Sequence, residues 1–121
     1  MTATVLTVDD SASIRGLLRL TLEGAGYEVV QAVDGRAGVD WLEAHVPDAI
    51  ITDINMPRLD GFGLIEAVRG MPRLAHTPIL VLSTESEGEK KDRARRAGAT
   101  GWIVKPFDAP RLLQAVARVV A

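Results

Sequence analysis

The chain contains no cysteine, only two histidines, and aromatic residues make up just 4% of it. The first absence excludes disulfides, thiolate metal sites and thiol nucleophiles, and it fits a reducing compartment. The two histidines, His45 and His76, stand outside any acidic motif and make neither a zinc site nor a phosphotransfer site. No apolar run approaches the ~20 residues of a membrane span. The amino terminus Met1-Thr2-Ala3-Thr4 lacks the basic cluster and apolar stretch of a signal peptide, and it carries no lipidation motif. The protein is therefore expected in the cytoplasm, without a membrane partner. Neither sign of charge dominates: the formal net charge is −2, which gives no general drive toward nucleic acid.

What is present is enough for one ordinary core. The 121 residues, 47% hydrophobic and 25% charged, are read as a single domain spanning 1–121. Ile14, Leu17, Leu18, Leu22 and Ala25 share one face of a helix that Ser11 can cap and that Gly24 and Gly26 end. Val39 and Leu42 mark a second helix after Asp34-Gly35, and Leu64, Ile65 and Val68 a third after Asp60-Gly61. Leu112, Leu113, Val116, Val119 and Val120 form a last amphipathic helix capped by Asp108. A short run from Tyr27 to Val33 lies between the first two helices.

Four further apolar runs each stop at a polar residue able to handle a phosphoryl group. Val5-Leu6-Thr7-Val8 runs into Asp9-Asp10, and Ala49-Ile50-Ile51-Thr52 into Asp53. Ile79-Leu80-Val81-Leu82 runs into Ser83-Thr84, and Trp102-Ile103-Val104 into Lys105-Pro106. Strand and helix thus alternate five times along the chain, which implies right-handed crossovers and a parallel sheet covered on both faces. In such doubly wound α/β sheets functional groups gather beyond the carboxyl ends of the strands, and the order 2-1-3-4-5 makes these four strands contiguous.

Three carboxylates brought together repel one another by roughly 4 kcal/mol per close pair at an effective dielectric near ~20. A hard divalent cation such as Mg²⁺ is the usual partner of such a set, and Lys105 adds a second positive charge. Asp53 can attack phosphorus and form an aspartyl phosphate without a base, because a carboxylate is already ionised at neutral pH. Singly, each residue has an ordinary role as turn former, cap or solvated lysine. Packing does not require all of them at neighbouring strand ends.

The chain resembles, from end to end, the receiver domain of bacterial two-component response regulators. The resemblance rests on Val8-Asp9-Asp10-Ser11, on Asp53-Ile54-Asn55-Met56-Pro57-Arg58-Leu59-Asp60-Gly61, on Leu82-Ser83-Thr84-Glu85, and on Ala97-Gly98-Ala99 leading to Lys105-Pro106-Phe107. It implies a flavodoxin/CheY-like fold with five helices, and a phosphoacceptor signalling protein rather than an enzyme, its only reactions being phosphotransfer to itself and autodephosphorylation. Asp53 would be the phosphoacceptor. Asp10, Asp53 and the backbone carbonyl of Asn55 would hold Mg²⁺, with Asp9 acting directly or through water. Lys105, Ser83 and Thr84 would meet the phosphoryl oxygens. Ser83 and Trp102 would form the switch, with Trp102 standing where Tyr or Phe is commoner and Thr84 where Ala is frequent. Asn55 and Glu85 occupy positions that tune the lifetime of the phosphoryl group, and the Lys105-Pro106 bond is expected to be cis.

The same resemblance, strongest to stand-alone chemotaxis-type CheY proteins, implies a CheA-type histidine kinase as donor and a flagellar motor switch protein as target, or else a role as phosphate sink or as a single-domain regulator outside chemotaxis. The chain is expected to act without an output module of its own, so the expected output surface is the face of helix 4, strand 5 and helix 5 of a monomer. Ser86-Glu87-Gly88-Glu89 reads as a capping box for helix 4, whose remainder, with Lys90, Lys91, Arg93, Arg95 and Arg96, is basic up to Gly98. Only Ala94 and Ala97 are available to face a core. A haloacid-dehalogenase-type phosphatase fits less well, since Asn55 replaces the second carboxylate of its Asp-x-Asp motif. A flavin phosphate would be repelled by Asp9-Asp10.

Overall fold

The computed structural model describes residues 2–84 and 88–120. Five parallel strands, β1 (Thr4–Val8), β2 (Glu28–Ala32), β3 (Ala49–Thr52), β4 (Ile79–Ser83) and β5 (Gly101–Val104), lie in the order β2-β1-β3-β4-β5. Between and after them run α1 (Ala12–Gly24), α2 (Gly35–Leu42), α3 (Gly61–Arg69), α4 (Glu89–Ala97) and α5 (Ala109–Val120). This is the doubly wound α/β arrangement expected from the alternation of elements.

Alternation along each strand divides the core into two layers. Val5, Ala49, Ile51, Leu80 and Leu82 meet Leu18 and Leu22 of α1 and Leu112 and Val116 of α5. Leu6, Val8, Ile50, Ile79 and Val81 face the other way, toward α2, α3 and Ala94 of α4. Each fully buried Leu or Ile in these layers contributes roughly 1.5–3 kcal/mol of apolar burial.

The helices begin where short polar side chains can take up their free amides. Ser11 accepts from Ile14, Asp34 from Ala37, Asp60 from Gly63 and Asp108 from Arg111. Two details differ from the periodicity. In α1 the inward row is Ile14, Leu18 and Leu22, while Leu17 is 52% exposed and Ala25 is also at the surface. The helix sits at one side of the sheet and buries a stripe narrower than its apolar content. Helix α4 starts at Glu89 after Gly88, whose φ of 102° only glycine adopts readily. Ser86 and Glu87 of the expected capping box lie outside the described residues. Ala94 is buried, Ala97 is half-buried, and Gly98 closes the helix in the left-handed conformation.

Candidate functional site

Strand register brings the acidic residues together. Val8 pairs with Thr52, so Asp9 and Asp53 follow as neighbours on adjacent strands, and the Asp53 amide donates to the Val8 carbonyl at 2.9 Å. Ser83 pairs with Val104, and the Lys105 amide donates to the Ser83 carbonyl at 2.7 Å. Lys105 thereby enters from the far side of β4.

Its ammonium reaches both carboxylates: Nζ lies 3.0 Å from Oδ2 of Asp9 and 3.4 Å from Oδ2 of Asp53. The remaining oxygens are engaged by the main chain. Oδ1 of Asp9 accepts from the Ser11 amide at 2.9 Å, and Oδ1 of Asp53 accepts from the Ile54 amide at 2.7 Å. Asp9 is 1% exposed, and Arg15 donates to its carbonyl at 2.7 Å, which ties the first turns of α1 to the end of β1.

Asp10, by contrast, is exposed and has no ion-pair partner among the described residues. Asp9, Asp10 and Asp53 each present an oxygen within 4.8 Å of the others. Burial pushes the Asp53 carboxyl above the ordinary aspartate range and the negative charge of Asp9 adds to this, while Lys105 and the Ile54 amide pull it down. One ammonium therefore does not satisfy the three carboxylates. An all-oxygen, charge-rich and partly open set is what Mg²⁺ prefers over softer ions, so the donors present fit that cation.

The other expected residues are distributed around this centre. The Ser83 side chain is buried at the end of β4, Thr84 and Asn55 are exposed, and the Lys105–Pro106 peptide is cis. Trp102 on β5 is half-buried against the layer formed with α2, α3 and α4, next to a cleft of about 180 Å³ that Lys91, Ala94 and Arg95 also line. Glu85 lies outside the described residues.

Three further residues hold the site in place. Gly61 opens α3 so close to the site that a Cβ there would stand 2.3 Å from the Asp53 carbonyl oxygen. Arg58 adopts φ 69° and pairs with Asp34 at 3.1 Å. Arg69 donates to the carbonyls of Gly98, Leu74 and Thr77 at 2.8–3.1 Å, joining the end of α3 to the α4–β5 corner. The family pattern Asp-Gly flags Gly61, whereas nothing in the sequence pairs Arg58 with Asp34.

Five parallel strands in this order, with an acidic cluster facing a lysine beyond their carboxyl ends, define a doubly wound α/β domain with a charged site at its switch-point edge. The profile of the response regulator receiver domain matches residues 5–117, and the chain belongs to that family. It is 40% identical over 118 residues to the transcriptional regulatory protein PdtaR of Mycobacterium tuberculosis, covering 97% of this chain and 56% of that protein. The chain spans about half the length of the first curated relatives it matches, between 44% and 56%. Among solved structures, the chemotaxis protein CheY4 of Vibrio cholerae superposes with a TM-score of 0.94 at 47% identity, covering 98% of this chain and 99% of that one. The receiver domain of a sensor histidine kinase of Pseudomonas aeruginosa, solved with a magnesium ion coordinated in its active-site cleft, gives 0.93 at 25% identity over 99% of this chain and 98% of its own. Receiver domains accept phosphoryl groups from histidine kinases and act on downstream targets, and this chain is such a domain.

Proposed function

We propose that Asp53 is the phosphoacceptor. One of its carboxylate oxygens attacks the phosphorus of a phosphohistidine on a partner kinase, the P–N bond breaks, and its electron pair returns to the imidazole, which takes up a proton. The observation that carries this reading is Lys105, held between Asp9 and Asp53 at 3.0 and 3.4 Å, where its charge can follow the oxygens of an incoming phosphoryl group.

Asp10, Asp53 and the main-chain carbonyl of Asn55 would hold Mg²⁺, with Asp9 direct or through water, and the cation would supply neutralisation of the carboxylates and phosphoryl oxygens. Ser83 and Thr84 would donate to those oxygens, and Ser83 together with Trp102 would carry the change to the basic α4, β5 and α5 face. Asn55 and Glu85 would set a short phosphoryl lifetime.

The likeness to CheY4 across both chains supports a chemotaxis regulator receiving its phosphoryl group from a CheA-type kinase and acting on a flagellar switch protein. Relatives of about twice this length favour a second reading, the receiver part of a transcriptional regulator. Incubation with an autophosphorylated kinase tests the chemistry, with transfer expected to the wild type and none to Asp53→Ala. Cells lacking the protein separate the two outputs. Altered swimming with an unchanged transcript profile supports the first, and the converse supports the second.

A further inference from the structure

We propose that Asp34 and Arg58 are positioning residues for the cation site, acting through the strap of residues 55–57. The inference rests on the reading above, in which the Asn55 carbonyl is a ligand.

The strap is fastened at two ends. At the first, Oδ1 of Asp53 accepts from the Ile54 amide and the Gly61 amide donates to the Ile54 carbonyl at 2.8 Å. At the second, the Leu59 amide donates to the Pro57 carbonyl at 2.8 Å, closing a three-residue turn around Arg58. The φ of 69° at Arg58 is uncommon for a residue with a side chain and persists where the surroundings hold it.

Two contacts with the start of α2 do the holding. The Gly35 amide donates to the Leu59 carbonyl at 3.1 Å, an approach open only to glycine, since a Cβ there would lie 2.2 Å from that oxygen. Arg58 Nε lies 3.1 Å from Oδ2 of Asp34, whose side chain is 6% exposed and whose Oδ1 already accepts from the Ala37 amide at 2.8 Å. Exposed ion pairs usually contribute little. This one is one-sided: the Arg58 side chain is 62% exposed, but its acidic member is buried, and Arg58 is the cation facing the second Asp34 oxygen among the described residues. The pair thus fixes where the turn ends, and with it the direction of the carbonyls just upstream. Groups that orient ligands without touching the metal change affinity by roughly 10–100-fold when removed.

Calorimetric titration of the whole chain with MgCl₂ tests this in the wild type, Arg58→Gln, Arg58→Lys and Asp34→Asn. Glutamine keeps the side-chain strain of the turn but not the charge, and asparagine keeps a capping oxygen for α2. Arg58→Gln and Asp34→Asn are expected to weaken Mg²⁺ binding about tenfold, with faster hydrogen exchange at the Leu59 and Gly35 amides, which bond across this turn, and a lower melting temperature for metal-free Arg58→Gln, which leaves the Asp34 carboxylate without its cation. Arg58→Lys keeps the charge on a more flexible stem and is expected to lose less affinity than Arg58→Gln. Should Asp34→Asn not fold, Arg58→Gln decides. Wild-type affinity and exchange in Arg58→Gln overturn the inference alone, whereas a wild type that binds no Mg²⁺ overturns the reading of the site together with it.

Discussion

The Nζ of Lys105 lies 3.0 Å from Oδ2 of Asp9, a contact across 96 positions of sequence between one buried carboxylate and one nearly buried ammonium. It ties β5 to β1 across the two strands that separate them in the sheet. The same ammonium serves Asp53, so a single positive charge is shared by two acids.

Removing that charge leaves both carboxylates uncompensated. Lys105→Met is expected to cost roughly 3 kcal/mol in urea unfolding without metal. Mg²⁺ is expected to bind several times more tightly, because the competing cation is gone, while phosphorylation by acetyl phosphate slows on the order of 100-fold. Calorimetry and a phosphorylation time course together show whether affinity and rate move in opposite directions.

The Asp53 carboxyl, raised by burial, has a stability consequence of definite sign. A folded-state value above the unfolded one means that the native state binds more protons in the window between them, so stability falls as pH rises through it. At neutral pH the ionised Asp53 therefore opposes folding. Asp53→Asn is expected to raise the melting temperature of the metal-free protein at pH 7, and the gain should fade as pH falls toward the ordinary aspartate range. Adding Mg²⁺ should narrow the gap, since Asp53→Asn removes one carboxylate of the proposed cation site.

Two glycines should respond oppositely to the same substitution. Gly61→Ala forces a Cβ to 2.3 Å from the Asp53 carbonyl oxygen and 2.8 Å from the Ile54 Cα, both backbone atoms that cannot turn aside. A loss of about 3 kcal/mol is expected. Gly16, inside α1 with nothing within 4 Å of a Cβ, should gain about 0.5–1 kcal/mol on becoming Ala. Equilibrium unfolding of the two variants checks both signs.

Arg69 has no carboxylate partner among the described residues and spends its donors on carbonyls. Burial lowers its pKa from the ordinary arginine value. Arg69→Met is expected to cost roughly 2–3 kcal/mol and to speed hydrogen exchange around Gly98 and Thr100, which an amide-resolved exchange experiment reads directly.

The strand ends were legible because each apolar run stops at a polar residue of a type that packing does not require, and fold class then supplied the order that joins them. Asp9, Asp10, Asp53 and Lys105 could be grouped on that basis alone. The inward face of α1 could not: Leu17 and Leu18 satisfy the same helical period, and packing against the sheet and α5 selects Leu18. Arg58 and Arg69 stayed hidden for a different reason. One sits in a conformation its residue type rarely adopts, and the other bonds to carbonyls, which every residue carries and which leave no trace in composition.

The central claim is that Asp53 becomes an acyl phosphate. Intact-mass analysis after incubation with acetyl phosphate and Mg²⁺, followed by borohydride trapping and peptide mapping, tests it most directly. The expected result is one phosphoryl adduct, reduced by borohydride at Asp53 and absent from Asp53→Asn. An adduct of equal yield in Asp53→Asn, or none in the wild type, would contradict the account.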